Sequence, residues 1–231
     1  MAPSSVSGAV QAVVFDMDGV LIDSEPIWRD VEQRVFATVG VQLDDEHCRE
    51  TMGLRVNEVV AHWFARHPWA EPVPRAVEDA ILAGVVDAVR SSGQVLPGVE
   101  HALSVCRAHG ARAAIASSSY DVVIRAVLER LDLVSHFDVV VSAQDLPRGK
   151  PDPAVYLETA RALDLPPARC LAIEDSVNGV RAARAAGMRC IGIPESGADP
   201  VVLRAAGAAV VLDSLAELRS SHLEPPVESA T

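Results

Sequence analysis

Lysine is almost missing from this chain: 19 of its 20 basic residues are arginine, and Lys150 is the exception. Positive charge as a whole is scarce. The 32 acidic residues leave a formal net charge of −12, which argues against nucleic acid or an anionic membrane as a partner. No apolar run approaches the length of a membrane span, and residues Met1 to Gly8 lack both a basic start and a signal-like apolar stretch. A cytoplasmic protein, and a monomer, is expected. The four cysteines, Cys48, Cys106, Cys170 and Cys190, are scattered without a CxxC or Cys/His spacing. That pattern leaves out a zinc site and a disulfide framework, and predicts buried free thiols. No internal repeat is present.

What is present is apolar material, 49% of 231 residues, enough for one large core or a core with a satellite domain. The run from Val10 to Phe15 is short and β-branched, which suits a strand buried on both faces of a parallel sheet. It ends abruptly in Asp16-Met17-Asp18-Gly19. In open α/β sheets the ligand crevice lies outside the carboxyl ends of the strands. Two acids at such a mouth repel each other unless a cation or a shared proton compensates. The bland alternative is turn chemistry at Asp18-Gly19, so the case for a site rests on the rest of the chain.

From about Ser24 to Ser92 the pattern is helical throughout. Ser24 is placed to cap a helix reaching Val39, followed by helices over Asp44 to Met52, Asn57 to His67 and Pro74 to Ser92. After the linker Gln94 to Gly98, strands and helices alternate. Strands are expected at Arg112 to Ala116, Asp138 to Val141, Cys170 to Ile173, Arg189 to Ile193 and Ala209 to Leu212. Helices are expected at Val99 to His109, Asp121 to Leu131, Pro153 to Leu163 and Val177 to Ala186. Helical crossovers of this length imply a parallel, doubly wound α/β sheet. The domain reading is a catalytic core over 1–23 and 95–220, an inserted all-α cap over 24–94, and a disordered tail from 221.

Three further strand ends carry polar residues that should open on the crevice at Asp16. Ser117, with Ser118 and Ser119 behind it, ends one strand before a helix amino terminus, where an anion binds readily; its bland alternative is a helix cap. Glu174 and Asp175 end another, and oxygen ligands of this kind suit Mg²⁺. Asp175 is expected to ligate the metal, with Asp16 and Asp18, and Glu174 directly or from behind. Lys150, between Gly149 and Pro151, supplies the cation that one Mg²⁺ leaves wanting; an ammonium about 4 Å from a phosphate oxygen contributes ~4 kcal/mol at an effective dielectric near 20.

Asp16 to Val20, Ser117, Lys150-Pro151 and Glu174-Asp175-Ser176 resemble the four motifs of the haloacid dehalogenase-like hydrolase superfamily, over nearly the whole chain. That resemblance implies Asp16 as nucleophile, Asp18 as general acid/base and the helical insert as a cap closing over substrate. Dehalogenases proper lack the second aspartate, so Asp18 implies phosphoryl transfer. Within the superfamily, Asp23 to Trp28, Thr51 to Arg55 and Trp63 to Trp69 look like bacterial 2-deoxyglucose-6-phosphate phosphatases, also called hexitol phosphatases. A small phosphorylated sugar or polyol is the implied substrate, with Trp28 and Arg55 contacting it. Trp28 has a cap-core alternative, and Trp63 and Trp69 read as packing residues. The competing readings are a β-phosphoglucomutase and a non-catalytic module of the same fold. The mutases' cap His and Arg fall here at Trp28 and Val56, which favours the phosphatase.

Overall fold

The computed structural model describes residues 9–195 and 199–225. Its centre is β1, Ala12–Phe15, where all four residues are buried. Side chains alternate across a strand. Val13 and Phe15 accordingly join one apolar cluster, and Ala12 and Val14 another. β1 pairs in parallel with β2, Arg112–Ser117, on one side and β4, Cys170–Glu174, on the other. β3 (Val139–Ser142), β5 (Arg189–Gly192) and β6 (Val210–Val211) complete a six-stranded sheet in the order β3-β2-β1-β4-β5-β6.

The two faces of the sheet differ in kind. Ile115, Ile173 and Ile191 accompany Val13 and Phe15 on one face, while Ala114, Ala116, Ala172 and Cys190 accompany Val14 on the other. Small residues let helices approach closely. Tyr156 of α7 (Ala154–Ala162) and Val180 of α8 (Val177–Ala185) are fully buried against that second face. The four cysteines are free and buried, as expected. No helix among the described residues is long and apolar enough to cross a membrane.

Between β1 and β2 lie the inserted helices α1 (Glu25–Thr38), α2 (Asp45–Glu50), α3 (Val56–Arg66) and α4 (Pro74–Ser92). They precede α5, Val99–His109, and β2 is followed by α6, Asp121–Arg130. Each insert helix runs within a residue or two of its sequence pattern. Val31, Phe36, Val60, Trp63, Ile81 and Val85 pack together between them, and this apolar cluster continues to Phe15 of the sheet.

Two expectations change. The chain does not become irregular at 221: α10, Ser220–Leu223, follows α9, Val201–Ala206, and β6, and it buries Leu223 completely. The Leu223 carbonyl accepts from the Val10 N–H at 3.0 Å. Apolar Leu218 and Leu223 anchor a segment whose polar composition suggested a tail; residues 226–231 lie outside the described residues. β2 also runs one residue further than expected, through Ser117.

Candidate active site

Strand order reverses at β1, whose neighbours β2 and β4 lie far apart in the chain, and this is the switch point at which α/β sheets bind ligands. Phe15 stands opposite both Ile115 and Ile173. Asp16, Ser117, Glu174 and Asp175 therefore emerge within two residues of one level. Gly19 turns the chain away at φ +71°, and a Cβ there would fall 1.9 Å from Asp175 Oδ2. Glycine is needed at that point both for its backbone freedom and for the carboxylate packed against it.

Lys150 is fully enclosed. Its ammonium lies 2.8 Å from Asp16 Oδ1 and 2.7 Å from Glu174 Oε1, and it donates to the Ala116 carbonyl at 3.1 Å. Glu174 Oε1 also accepts from the Tyr156 hydroxyl at 2.5 Å, and its Oε2 from the Ser176 hydroxyl at 3.2 Å. Gly179 makes room for this: a Cβ there would lie 1.9 Å from the Glu174 carboxylate.

Burial raises Asp16 to about 7 against the pull of Lys150, with the Glu174 and Asp18 charges adding to the rise. Burial works to lower Lys150, but Asp16 and Glu174 more than reverse this and hold it above its ordinary range. Asp175 is pushed well up, by burial first and then by Asp16 and Glu174. The cluster is short of positive charge.

A metal would answer that shortage. Asp16, Glu174 and Asp175 offer oxygens within 4.8 Å of one another. Asp16 Oδ1 makes no well-aligned hydrogen bond despite the nearby ammonium. Glu174 is committed to Lys150, Tyr156 and Ser176, which leaves Asp16 and Asp175 as the pair free to ligate. Hard carboxylate oxygens beside open cavity space fit Mg²⁺, which binds through one or two carboxylates and keeps several waters.

Asp18 does not join this cluster, contrary to its expected place among the ligands. Its Oδ1 accepts from the Ser24 hydroxyl at 2.6 Å and the Trp28 indole N–H at 2.8 Å, and its Oδ2 from the Ser119 hydroxyl at 2.6 Å. Ser24 is thereby taken from its expected work: it occupies the N-cap position of α1, but its side chain makes no capping bond. A charge-assisted bond to a carboxylate outweighs a neutral cap.

Ser117 is completely buried and its hydroxyl accepts from the Ser119 N–H at 3.0 Å, whereas Ser118 and Ser119 line the cavity. Ser118 donates across to the Gly53 carbonyl at 3.0 Å. Trp28 lines the cavity as well as holding Asp18, so it is more than a cap-core aromatic. Arg55 faces elsewhere. It donates to the carbonyls of Ala143 and Leu146, at 3.1 and 2.6 Å, and pairs with Glu58 at 2.7 Å, while the Glu58 carboxylate accepts from the Gly149 N–H at 3.2 Å. Five donors and no acceptor of its own make arginine suited to clamping carbonyls, and here it ties the insert to the loop carrying Lys150. Trp63 is packed inside the insert.

Sequence reasoning missed Ser119 and Tyr156. The triple serine held a signal for the first; Tyr156 sat on an apolar helical face that signals only core.

An open parallel sheet with a carboxylate and ammonium cluster at its switch point, roofed by inserted helices, defines a doubly wound α/β protein with an enzyme-like site. The haloacid dehalogenase-like hydrolase family model matches residues 10–187, and the chain belongs to that family. It is a phosphatase. Hexitol phosphatase B of Escherichia coli strain K12 is 41% identical over 217 residues, covering 93% of this chain and 96% of that protein. Phosphorylated carbohydrates phosphatase of Thermotoga maritima is 31% identical, over 88% of this chain and 94% of that one. Among solved structures, CbbY from Rhodobacter sphaeroides in complex with phosphate superposes with a TM-score of 0.80 at 30% identity, covering 90% of this chain and 96% of that one. β-Phosphoglucomutase from Clostridium difficile shares the fold, with a TM-score of 0.80 at 23% identity over 93% and 95% of the two chains.

Proposed function

We propose that this chain hydrolyses phosphomonoesters of hexoses or hexitols through an aspartyl-phosphate on Asp16, assisted by Mg²⁺. The observation that carries the reading is the cavity itself, where Asp16, Asp18 and Asp175 meet Trp28 and the polar face of the inserted helix α1. The similarity to hexitol phosphatase B supports the same substrate class.

In this reading a carboxylate oxygen of Asp16 attacks phosphorus in line as the ester P–O bond breaks. Asp18 gives its proton to the departing alkoxide, then takes one from the water that attacks the aspartyl-phosphate, releasing phosphate and restoring Asp16. Asp16 and Asp175 would hold Mg²⁺, which when bound offsets the charge of the phosphate and carboxylates. Lys150 holds Asp16 in place from behind, Ser118 and Ser119 line the cavity where the transferred group would sit, and the buried Ser117 hydroxyl braces that turn by accepting from the Ser119 N–H.

The charge of the cavity supports this reading over a mutase or a bisphosphatase. Among the described residues lining it, Arg29 is the one fully charged cation, and it is already paired with Glu195 at 3.1 Å. Glu25 and Glu32 line the same wall. A second phosphate would find no free cation there.

Kinetics with Mg²⁺ on a panel of sorbitol 6-phosphate, 2-deoxyglucose 6-phosphate, nucleotides, phosphoamino acids and phosphoglycolate test the assignment. Hexose and hexitol phosphates should lead, with graded preference among them because similar sugars differ by few contacts. A nucleotide or phosphoglycolate ahead by tenfold, or efficient conversion of β-glucose 1-phosphate to glucose 6-phosphate, overturns it. Ser119→Ala tests the role of Asp18 separately. It removes one of three donors that orient this carboxylate, and a hydrogen bond to a charged group contributes about 1.5–3 kcal/mol. A fall in kcat on the order of 10- to 100-fold is expected, with little change in melting temperature; wild-type kcat would leave the contact without consequence.

A further inference from the structure

Ser24 and Trp28, one helical turn apart, both touch Asp18, and the next residue on that face of α1 is Glu32. Glu32 lines the cavity, yet only 7% of the residue is exposed. The Cys48 thiol on α2, a weak donor, is the side-chain partner of its carboxylate, and no nitrogen or oxygen donor among the described residues bonds it; Cys48 and Thr51 are also buried and line the cavity. A carboxyl group so deeply enclosed is costly when a thiol is its one partner, because a thiol is a weak donor. Solvated helix faces do not look like this.

We infer that Glu32 is the specificity-determining residue for the leaving group, its carboxyl binding the hydroxyls at the end of the polyol remote from phosphate. The inference rests on the sugar-phosphate reading above and adds to it which hydroxyls are read, and by what. The placement agrees: Trp28 bonds Asp18 beside the reacting centre, and Glu32 lies one further turn along α1, about 6 Å at ~1.5 Å per residue, on the wall of the same cavity. In this arrangement the hydroxyls remote from phosphate are the ones that face Glu32. Burial, with the nearby charge of Glu25 adding to it, pushes Glu32 up to about 8. Near neutral pH it therefore carries a proton, and a carboxylic acid both donates and accepts, as a pair of hydroxyls requires.

The test compares kcat/KM for sorbitol 6-phosphate with that for hexyl phosphate, which has the same chain length and no hydroxyls. Glu32→Met should lower this ratio at least tenfold, because a site built to bond hydroxyls loses its discrimination when the bonding group is removed. The ratio does not depend on the fraction of folded enzyme, so a partly unfolded variant still reports. An unchanged ratio overturns the inference. On wild-type enzyme, kcat/KM along glycerol 3-phosphate, erythritol 4-phosphate and sorbitol 6-phosphate should step upward once the chain reaches six carbons; a flat series also overturns it. If polyol phosphates lead the substrate panel but Glu32→Met leaves the ratio unchanged, the role of Glu32 alone fails. If they do not lead, the sugar-phosphate reading fails first.

Discussion

Asp16→Asn should reduce kcat on the order of 10⁴-fold or more while the protein keeps its fold. Asparagine has nearly the shape of aspartate but no lone-pair charge with which to attack phosphorus, and losses of this order are typical when a covalent nucleophile is removed. Structural damage should be slight. Lys150 retains Glu174 at 2.7 Å and the Ala116 carbonyl at 3.1 Å, and the exchange takes away a buried charge that already lacks an aligned hydrogen bond. Melting temperature within a few degrees of wild type, together with absent turnover of sorbitol 6-phosphate, is the expected pair of results. Activity within tenfold of wild type would sink the covalent mechanism.

Lys150→Arg should be nearly as damaging, although it preserves charge. The ammonium reaches three oxygens from one nitrogen: Asp16 Oδ1, Glu174 Oε1 and the Ala116 carbonyl. It also lies 5.3 Å from the centre of the Tyr156 ring. A guanidinium is planar and larger, and its fork cannot direct three bonds from a single point. Enclosed as this side chain is, at 1% exposure, the extra volume has no outlet, and overpacking of that kind costs about 1–3 kcal/mol. The variant should show a lowered melting temperature and kcat/KM reduced by about a hundredfold or more, since Asp16 is displaced from its line to phosphorus. Lys150→Met is the companion variant. It leaves Asp16 and Glu174 buried without their cation, a change that costs about 3–5 kcal/mol in comparable buried pairs. Wild-type kcat/KM in Lys150→Arg would make the solitary lysine incidental to catalysis.

The inserted helices are tied to the core beside Lys150. Arg55 holds the carbonyls of Ala143 and Leu146, and Glu58 holds the Gly149 N–H, so the inserted helices are fastened to the segment that ends at Lys150. Release of product requires these bonds, and those of Ser118 with Gly53 and Arg29 with Glu195, to open if the insert lifts as a unit.

Much of this was legible in the chain alone, and for a local reason. A β-branched run ending in two acids, a helical period changing to alternating strands, and a lone lysine between glycine and proline are short-range patterns. They located β1, the insert and the strand ends that converge on the crevice, because periodicity and turn chemistry depend on near neighbours. The tertiary structure decided how polar side chains share partners. Ser24 bonds Asp18 instead of capping α1; Ser119 reaches Asp18 as well; Glu174 is spent on Lys150 and Tyr156; Arg55 bonds carbonyls of the core instead of lining the cavity. Glu32 is the sharpest case, since a charged residue on an amphipathic helix reads as solvent-facing until α2, with Cys48, is packed across from it. Each of these outcomes depends on atoms brought together from distant parts of the chain, and the strength of a hydrogen bond or ion pair there is set by burial and geometry that no sequence spacing contains.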